Sequence, residues 1–320
     1  MFEQVKSEQM YGSIFLSALD LERINLEAKK NALTLVDFSE SVFRNQIEKV
    51  CNEIMQKVPR IILLSGPSAS GKTTTASLIQ NNLYYEYNIS SFVVSLDNFF
   101  LNPEFSPVLP DGSPDLENIS KLDIPLINKF LEEIVVSGKS KMPSFDFKTG
   151  LRCEEYQNVQ LQDGEVLIVE GTHALNPKLI QSEKLIRNLF KIYISTDSHF
   201  IANDRVAISG KNLRMMRRLI RDSLKRGESF GGFVEKWPKV LLGEEVFIEP
   251  FKTCADFLID SVHFYEPMLY ARYLKGMFEE EIQSSQVGLK ELNEVFRMLV
   301  NIEQFDTTII PASSMLWEVF

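Results

Sequence analysis

The sequence predicts an α/β fold built on a central parallel five-stranded sheet with helices on both faces. Five short, continuous apolar runs alternate with helical patterns: Ile61 to Leu64, Phe92 to Leu96, Val166 to Val169, Phe190 to Ile194 and Phe257 to Ile259. None of them alternates apolar with polar residues, which suits strands covered on both faces. The first run leads straight into Gly66-Pro-Ser-Ala-Ser-Gly71-Lys72-Thr73, a glycine-rich turn followed by a helical pattern. Strand, phosphate-type loop and helix thus occur in the required order.

Taken in order, residues 1–58 carry no chemical motif and are expected to form a helical lead-in. Asp37 with Glu40 fits a capping box, and Phe43, Ile47, Val50 and Ile54 give the stripe of the helix behind it. Beyond the glycine-rich turn, Ala76, Ile79 and Leu83 recur at helical spacing, and Leu126, Phe130, Leu131 and Ile134 form a second stripe ended by Gly138. The segment from Asn102 to Asn118, with Pro103, Pro107, Pro110, Gly112 and Pro114, reads as a loop. A further stripe, Leu213, Met216, Ile220 and Leu224, is followed one position behind by Arg214, Arg217, Arg221 and Lys225, with Arg218 and Arg226 beside them. A solvated basic face is the plain reading of that pattern. Six cations in a strongly acidic chain point instead to a helical lid, around 211–240, that closes on phosphates. From Phe264 the chain reads as a helical extension, with Glu279, Glu280 and Glu281 as a solvated face. It either packs over the sheet edge or joins a second copy. The expected divisions are 1–58, a phosphate-loop domain over 59–263, and 264–320.

Composition narrows the function. With 34 basic and 44 acidic side chains the net charge is −10, which disfavours nucleic acid or an anionic membrane as main partner. Cys51, Cys153 and Cys254 are far apart, pointing to reduced thiols and a cytoplasmic protein; three histidines are too scattered for a metal cluster. Met1 to Met10 lacks the apolar core of a signal peptide.

The loop itself points to phosphate. Backbone N–H groups from Gly66 through Ser68, Ala69, Ser70 and Gly71 to Thr74 would face phosphate oxygens, Lys72 would reach the β- and γ-phosphates, and the Thr73 hydroxyl would hold magnesium. In open α/β sheets ligands bind beyond the carboxyl ends of the strands. The second run ends at Asp97 and the third at Glu170, so both acids are expected at the edge that carries the loop. Phosphoryl transfer needs a held donor, magnesium, cations and an acceptor hydroxyl beside a carboxylate. Asp97 fits the base, and Glu170 the magnesium shell. A helix cap or a loop carboxylate is the bland reading of either acid. A guanine-binding Asn-Lys-x-Asp is missing: Asn128-Lys129 has Leu131 at the fourth position.

These residues resemble the uridine kinase and phosphoribulokinase family of P-loop kinases, from about Arg60 to Ser261. The pieces are Gly66 to Thr73, Ser95-Leu-Asp97, Pro143 to Thr149, Val169-Glu170-Gly171, Arg217-Arg218-Leu-Ile-Arg221-Asp222 with Arg226-Gly227, and Pro250 to Asp256. A longer resemblance, through Gly171 to Pro177, Trp237-Pro238 and the tail from Ile310 to Phe320, is to bacterial uridine kinase-like proteins that carry a threonyl-tRNA synthetase-like N-terminal region. Residues 1–58 are too few for the whole of that region, so at most part of it is expected here.

The resemblance implies an ATP-dependent kinase using magnesium and acting on a small molecule with a free hydroxyl. Asp97, Lys72, Arg218 and Arg221 become catalytic; Arg226 joins the ATP site; Thr73, Asp97 and Glu170 hold the metal. Glu117, Phe145, Lys148 and Arg218 face the substrate, with Glu117 where uridine kinases place a ribose-binding aspartate. The base-reading positions depart from the family: Phe145 replaces a tyrosine, Gly150 a histidine, Glu228 an arginine and Lys236 a glutamine. Lost donors should remove discrimination for the base. The competing expectations are an ATP-binding regulator without phosphotransfer, and nucleic-acid binding through the arginine-rich helix, which conflicts with the acidity.

Overall fold

The computed structural model describes residues 7–10, 13–16, 18–108, 112, 115, 117–281 and 290–320. Pro110, Pro114 and the side chains of Glu279, Glu280 and Glu281 lie outside what is described.

Five strands, β1 (Ile61–Ser65), β2 (Ser91–Ser95), β3 (Val166–Glu170), β4 (Leu189–Ser195) and β5 (Phe257–Asp260), form one sheet in the order β5-β4-β1-β3-β2. Every pairing in it is parallel. Each apolar run became a strand to within a residue or two, because the runs are covered on both sides. Ile62 and Leu64 of β1 belong to one core, whereas Ile61 and Leu63 belong to the core on the opposite face. Burial of that kind is the main stabilising contribution, at about 25 cal/mol per Å² of apolar surface.

Two helices, α1 (Leu21–Lys30) and α2 (Ala32–Lys57), precede the sheet. The capping box expected at Asp37 is not where α2 begins. Asn31 accepts from the Thr34 N–H at 3.2 Å, and the buried Leu35 and Val36 extend the stripe upstream. Glu40 instead turns inward. Short strands Ser7–Met10, Ser13–Leu16 and Ala18–Asp20 also occur in this part, which the apolar pattern did not signal. Ala18–Asp20 pairs in parallel with His199–Ala202. Gln46 of α2 completes the edge strand: its side chain donates to the Asp260 carbonyl and accepts from the Asp260 N–H, both at 2.9 Å.

Helix α3 (Lys72–Tyr87) follows the glycine-rich loop, and α4 (Ile124–Ser137) ends at Gly138, whose φ of 67° is the left-handed conformation glycine adopts without strain. Both match the sequence reading. Helix α5 (Gly210–Arg226) carries the arginines, α6 (Phe230–Phe247) packs beside it, and α7 (Glu266–Glu281) and α8 (Lys290–Leu299) lead to the tail. Among the described residues no helix is long and apolar enough to cross a membrane.

Candidate functional site

The site is built where β1 ends. At Gly66 a Cβ would lie 2.1 Å from the Ile194 carbonyl oxygen, so no side chain fits between the loop and β4. Ala69 and Gly71 take φ of 59° and 92°, turning successive N–H groups toward one side. The loop then feeds the first turn of α3, whose N-terminus attracts anions. Lys72 bends back and donates to the Pro67 carbonyl at 2.9 Å. Burial holds its pKa below the usual lysine range, opposed first by Glu170 and then by Glu318, Asp97 and Glu244. The hydroxyl of Thr73 is exposed at the helix start, while Ser70 is fully buried with its Oγ unpartnered.

The register brings the acids to this loop. Glu170 is opposite Leu64 of β1 on one side and Ser95 of β2 on the other. Its carboxylate therefore stands between the strand that becomes the phosphate loop and the strand that becomes the Asp97 turn. Burial raises the Glu170 pKa, with Lys72 acting against that rise and Asp97 adding to it. Asp97 sits in a 3-10 turn, Leu96–Phe99, whose Ser95 cap accepts from the Asp97 N–H at 3.4 Å. No group of three metal-ligating acids, histidines or cysteines occurs among the described residues. Magnesium at a phosphate site does not need one, since one or two carboxylates and the substrate's phosphates suffice.

The arginine helix is not a solvated face. Arg214, 3% exposed, pairs with the fully buried Glu244, both oxygens lying 2.9 Å from Nη1, and also donates to the Ser68 carbonyl. Arg217, 1% exposed, makes a two-pronged pair with Glu266 at 2.6 and 2.8 Å and donates to the Ala69 carbonyl. These two buttress the loop from behind. Arg218, Arg221 and Arg226 are the three gathered around Asp222, at 3.3, 3.0 and 3.2 Å. Arg218 also donates to Ser68 Oγ at 2.9 Å, so it reaches the loop directly. The Ser68 N–H is taken by Glu244 at 2.7 Å.

The structure also places Glu117 near this centre. Burial raises its pKa, opposed by Lys121, Arg218 and Lys72 in turn. Helix α6 passes so close that a Cβ at Gly243 would meet Glu117 Cβ at 2.2 Å. Phe145 contacts Phe100 and Phe147 edge-on, with ring centroids 5.4 and 5.3 Å apart, forming an aromatic wall next to the Asp97 turn. Lys148 is exposed at the tip of a short hairpin, its N–H bonded to Asp146 Oδ1, and among the described residues no hydrogen bond or ion pair joins it to the rest of the site. Glu228 and Lys236, two of the altered base-reading positions, close on each other as an ion pair.

Sequence reasoning missed Lys121, Asp222, Glu244 and His173. Lys121 lies over the Phe100 ring at 4.6 Å, its pKa lowered by burial against the pull of Glu117 and Asp97. His173 is buried; burial, helped by Lys121, outweighs its backbone contacts with Phe247 and Glu117 and pushes its pKa down to about 3, so it is neutral. Nothing in spacing or period marks these four, apart from Asp222 and His173 lying inside stretches that carry the family resemblance.

A parallel sheet whose first strand runs into an anion nest is the architecture of a phosphate-loop nucleotide-binding protein. The profile of the phosphoribulokinase/uridine kinase family matches residues 61–266, and the chain belongs to that family. It is similar to the uridine kinase of Bacillus pumilus, 29% identical over 209 residues that cover 64% of this chain and 88% of the relative. It is also similar to the uridine kinase of Lactobacillus helveticus, 27% identical over 206 residues, 63% of this chain and 86% of the relative. Among solved structures, phosphoribulokinase from Rhodobacter spheroides superposes with a TM-score of 0.43 at 15% identity, covering 62% of this chain and 68% of that one.

Proposed function

We propose that this chain is an ATP-dependent kinase that transfers the γ-phosphate to a hydroxyl of a nucleoside, uridine- or cytidine-like, or of a related small metabolite. The observation that carries the reading is the register of β3, which sets Glu170 between the phosphate loop and the Asp97 turn. In this reading the loop N–H groups, Lys72 and the start of α3 hold the triphosphate, with Arg226 at its outer end. Asp97 accepts the proton of the attacking hydroxyl, and Arg218 and Arg221 stabilise charge on the transferred group. Thr73, Asp97 and Glu170 would hold magnesium, which neutralises phosphate charge and orients the donor. The fit is good: a cradle that a Cβ would fill at Gly66, an unpartnered buried Ser70 hydroxyl, and hard oxygen donors.

Glu117, Phe145 and Arg218 are assigned to the acceptor, with Lys148 assigned by resemblance alone. The likeness to the subgroup with a synthetase-like N-terminal region belongs to the same proposal. A second reading, an ATP-binding regulator without phosphotransfer, is favoured by one observation: Glu228 and Lys236 satisfy each other instead of facing a base. Incubation with γ-labelled ATP, magnesium and a panel of nucleosides, sugars and vitamins separates the two. Label in an acceptor supports the kinase; binding of ATP with no label in any acceptor supports the regulator.

A further inference from the structure

We propose that Glu318 is a nucleotide-site residue that sets the affinity of the phosphate loop, because its carboxylate holds the start of α3 and has to yield that place to an incoming triphosphate. Thr74 Oγ1, in the first turn of α3, donates to Glu318 Oε2 at 3.1 Å. Helix starts of this kind are where phosphates bind, and a carboxylate is the protein's own stand-in for such an anion. After Glu170, Glu318 is the carboxylate that most raises the Lys72 pKa, so its charge reaches the loop lysine.

The tail is held in place by contacts that do not involve a ligand. Met315, Leu316 and Val319 are buried in the main core. A Cβ at Gly71 would lie 2.8 Å from Met315 Sδ, so the tail rests directly on the glycine of the loop. Lys225 of α5 donates to the carbonyls of Trp317 and Glu318 at 2.8 and 3.0 Å, tying the tail to the arginine helix. The slot between Ala69, Gly71, Arg221, Met315 and Glu318 has a volume of only about 10 Å³. A phosphate reaching Thr74 meets the Glu318 carboxylate, a charge of its own sign, and like charges a few ångströms apart repel. The tail residues themselves, Met315 to Val319, lie outside the matched family segment, which ends at residue 266.

The proposal rests on the kinase reading only in assuming that the loop takes a triphosphate. The test is calorimetric binding of Mg·ATP, and separately of inorganic triphosphate, to the full chain and to Glu318→Gln, Glu318→Asp and Glu318→Lys. Gln should tighten both ligands about tenfold, Lys should tighten them further, and Asp, which keeps the charge, should stay within about twofold of the wild type. Wild-type-like or weaker binding by Gln overturns the proposal and leaves the kinase reading standing. Tightening for ATP but not for inorganic triphosphate also overturns it, since the competition is with phosphate. If no form binds either ligand, the phosphate-loop reading fails and takes this proposal with it.

Discussion

Replacing Glu244 by alanine tests how the loop is held. Glu244 is fully buried and accepts three hydrogen bonds: two from Arg214 Nη1 at 2.9 Å and one from the Ser68 N–H at 2.7 Å. Arg214 is 3% exposed, and its other contacts are the Ser68 carbonyl at 3.1 Å and the Trp237 ring at 5.9 Å, neither of which is a countercharge. Removing the carboxylate leaves an unpaired buried cation, and breaking a buried pair in this way costs about 3–5 kcal/mol. Against a total stability on the order of 5–15 kcal/mol that is a large fraction. Equilibrium urea unfolding, followed by fluorescence and circular dichroism, should show the loss as a lower midpoint. The double variant Arg214→Met, Glu244→Leu removes both charges and should recover most of it. A loss below about 1 kcal/mol for Glu244→Ala, or a double variant no better than the single, would refute the reasoning.

Three further expectations follow from other contacts. Asp97→Asn should lower turnover by about 10²–10⁴-fold while nucleotide binding stays near that of the wild type, as read by steady-state kinetics and calorimetry together. Gly66→Ala should weaken nucleotide binding and lower the melting temperature, because the new methyl would be 2.1 Å from the Ile194 carbonyl oxygen; an unchanged melting curve would count against the loop geometry. Burial alone would raise the Glu40 pKa, but His263, Ser314 and Tyr265 outweigh it and hold it at about 2, against 4.5 for a free glutamate. A pKa depressed by folding adds stability that is complete above about 4.5 and is lost as the pH falls toward 2, here up to about 3 kcal/mol. Glu40→Gln should flatten the unfolding free energy across that window, and an unchanged slope would contradict the assignment.

Much of the fold was legible because its signals are local. Five mainly apolar runs became five strands, since a strand covered on both faces has little polar side to show. Gly66 and Gly71 marked the loop because the backbone there meets Ile194 on one side and takes a positive φ on the other. What failed is what depends on partners distant in sequence. The burial of Arg214 and Arg217 was not legible, because a position behind the stripe fits a solvated face or a lid equally; Glu244 and Glu266, 30 and 49 residues away, bury them. Glu318 lies 244 residues beyond Thr74, and no period links the two. Asp37 was read as a cap although Asn31 had already capped the helix, because a short polar side chain before an apolar stripe looks alike at either place. His173 reads only as a loop residue of the Gly171 to Pro177 stretch, because an isolated histidine looks the same in sequence whether it is buried or exposed.

The most direct measurement is a crystal structure of the chain with a non-hydrolysable ATP analogue and Mn²⁺ in place of magnesium, located by its anomalous scattering. The manganese is expected beside Thr73 and Glu170, with the γ-phosphate between Lys72 and Asp97. A nucleotide bound elsewhere, or a metal peak away from Glu170, would contradict the convergence of these residues on one triphosphate.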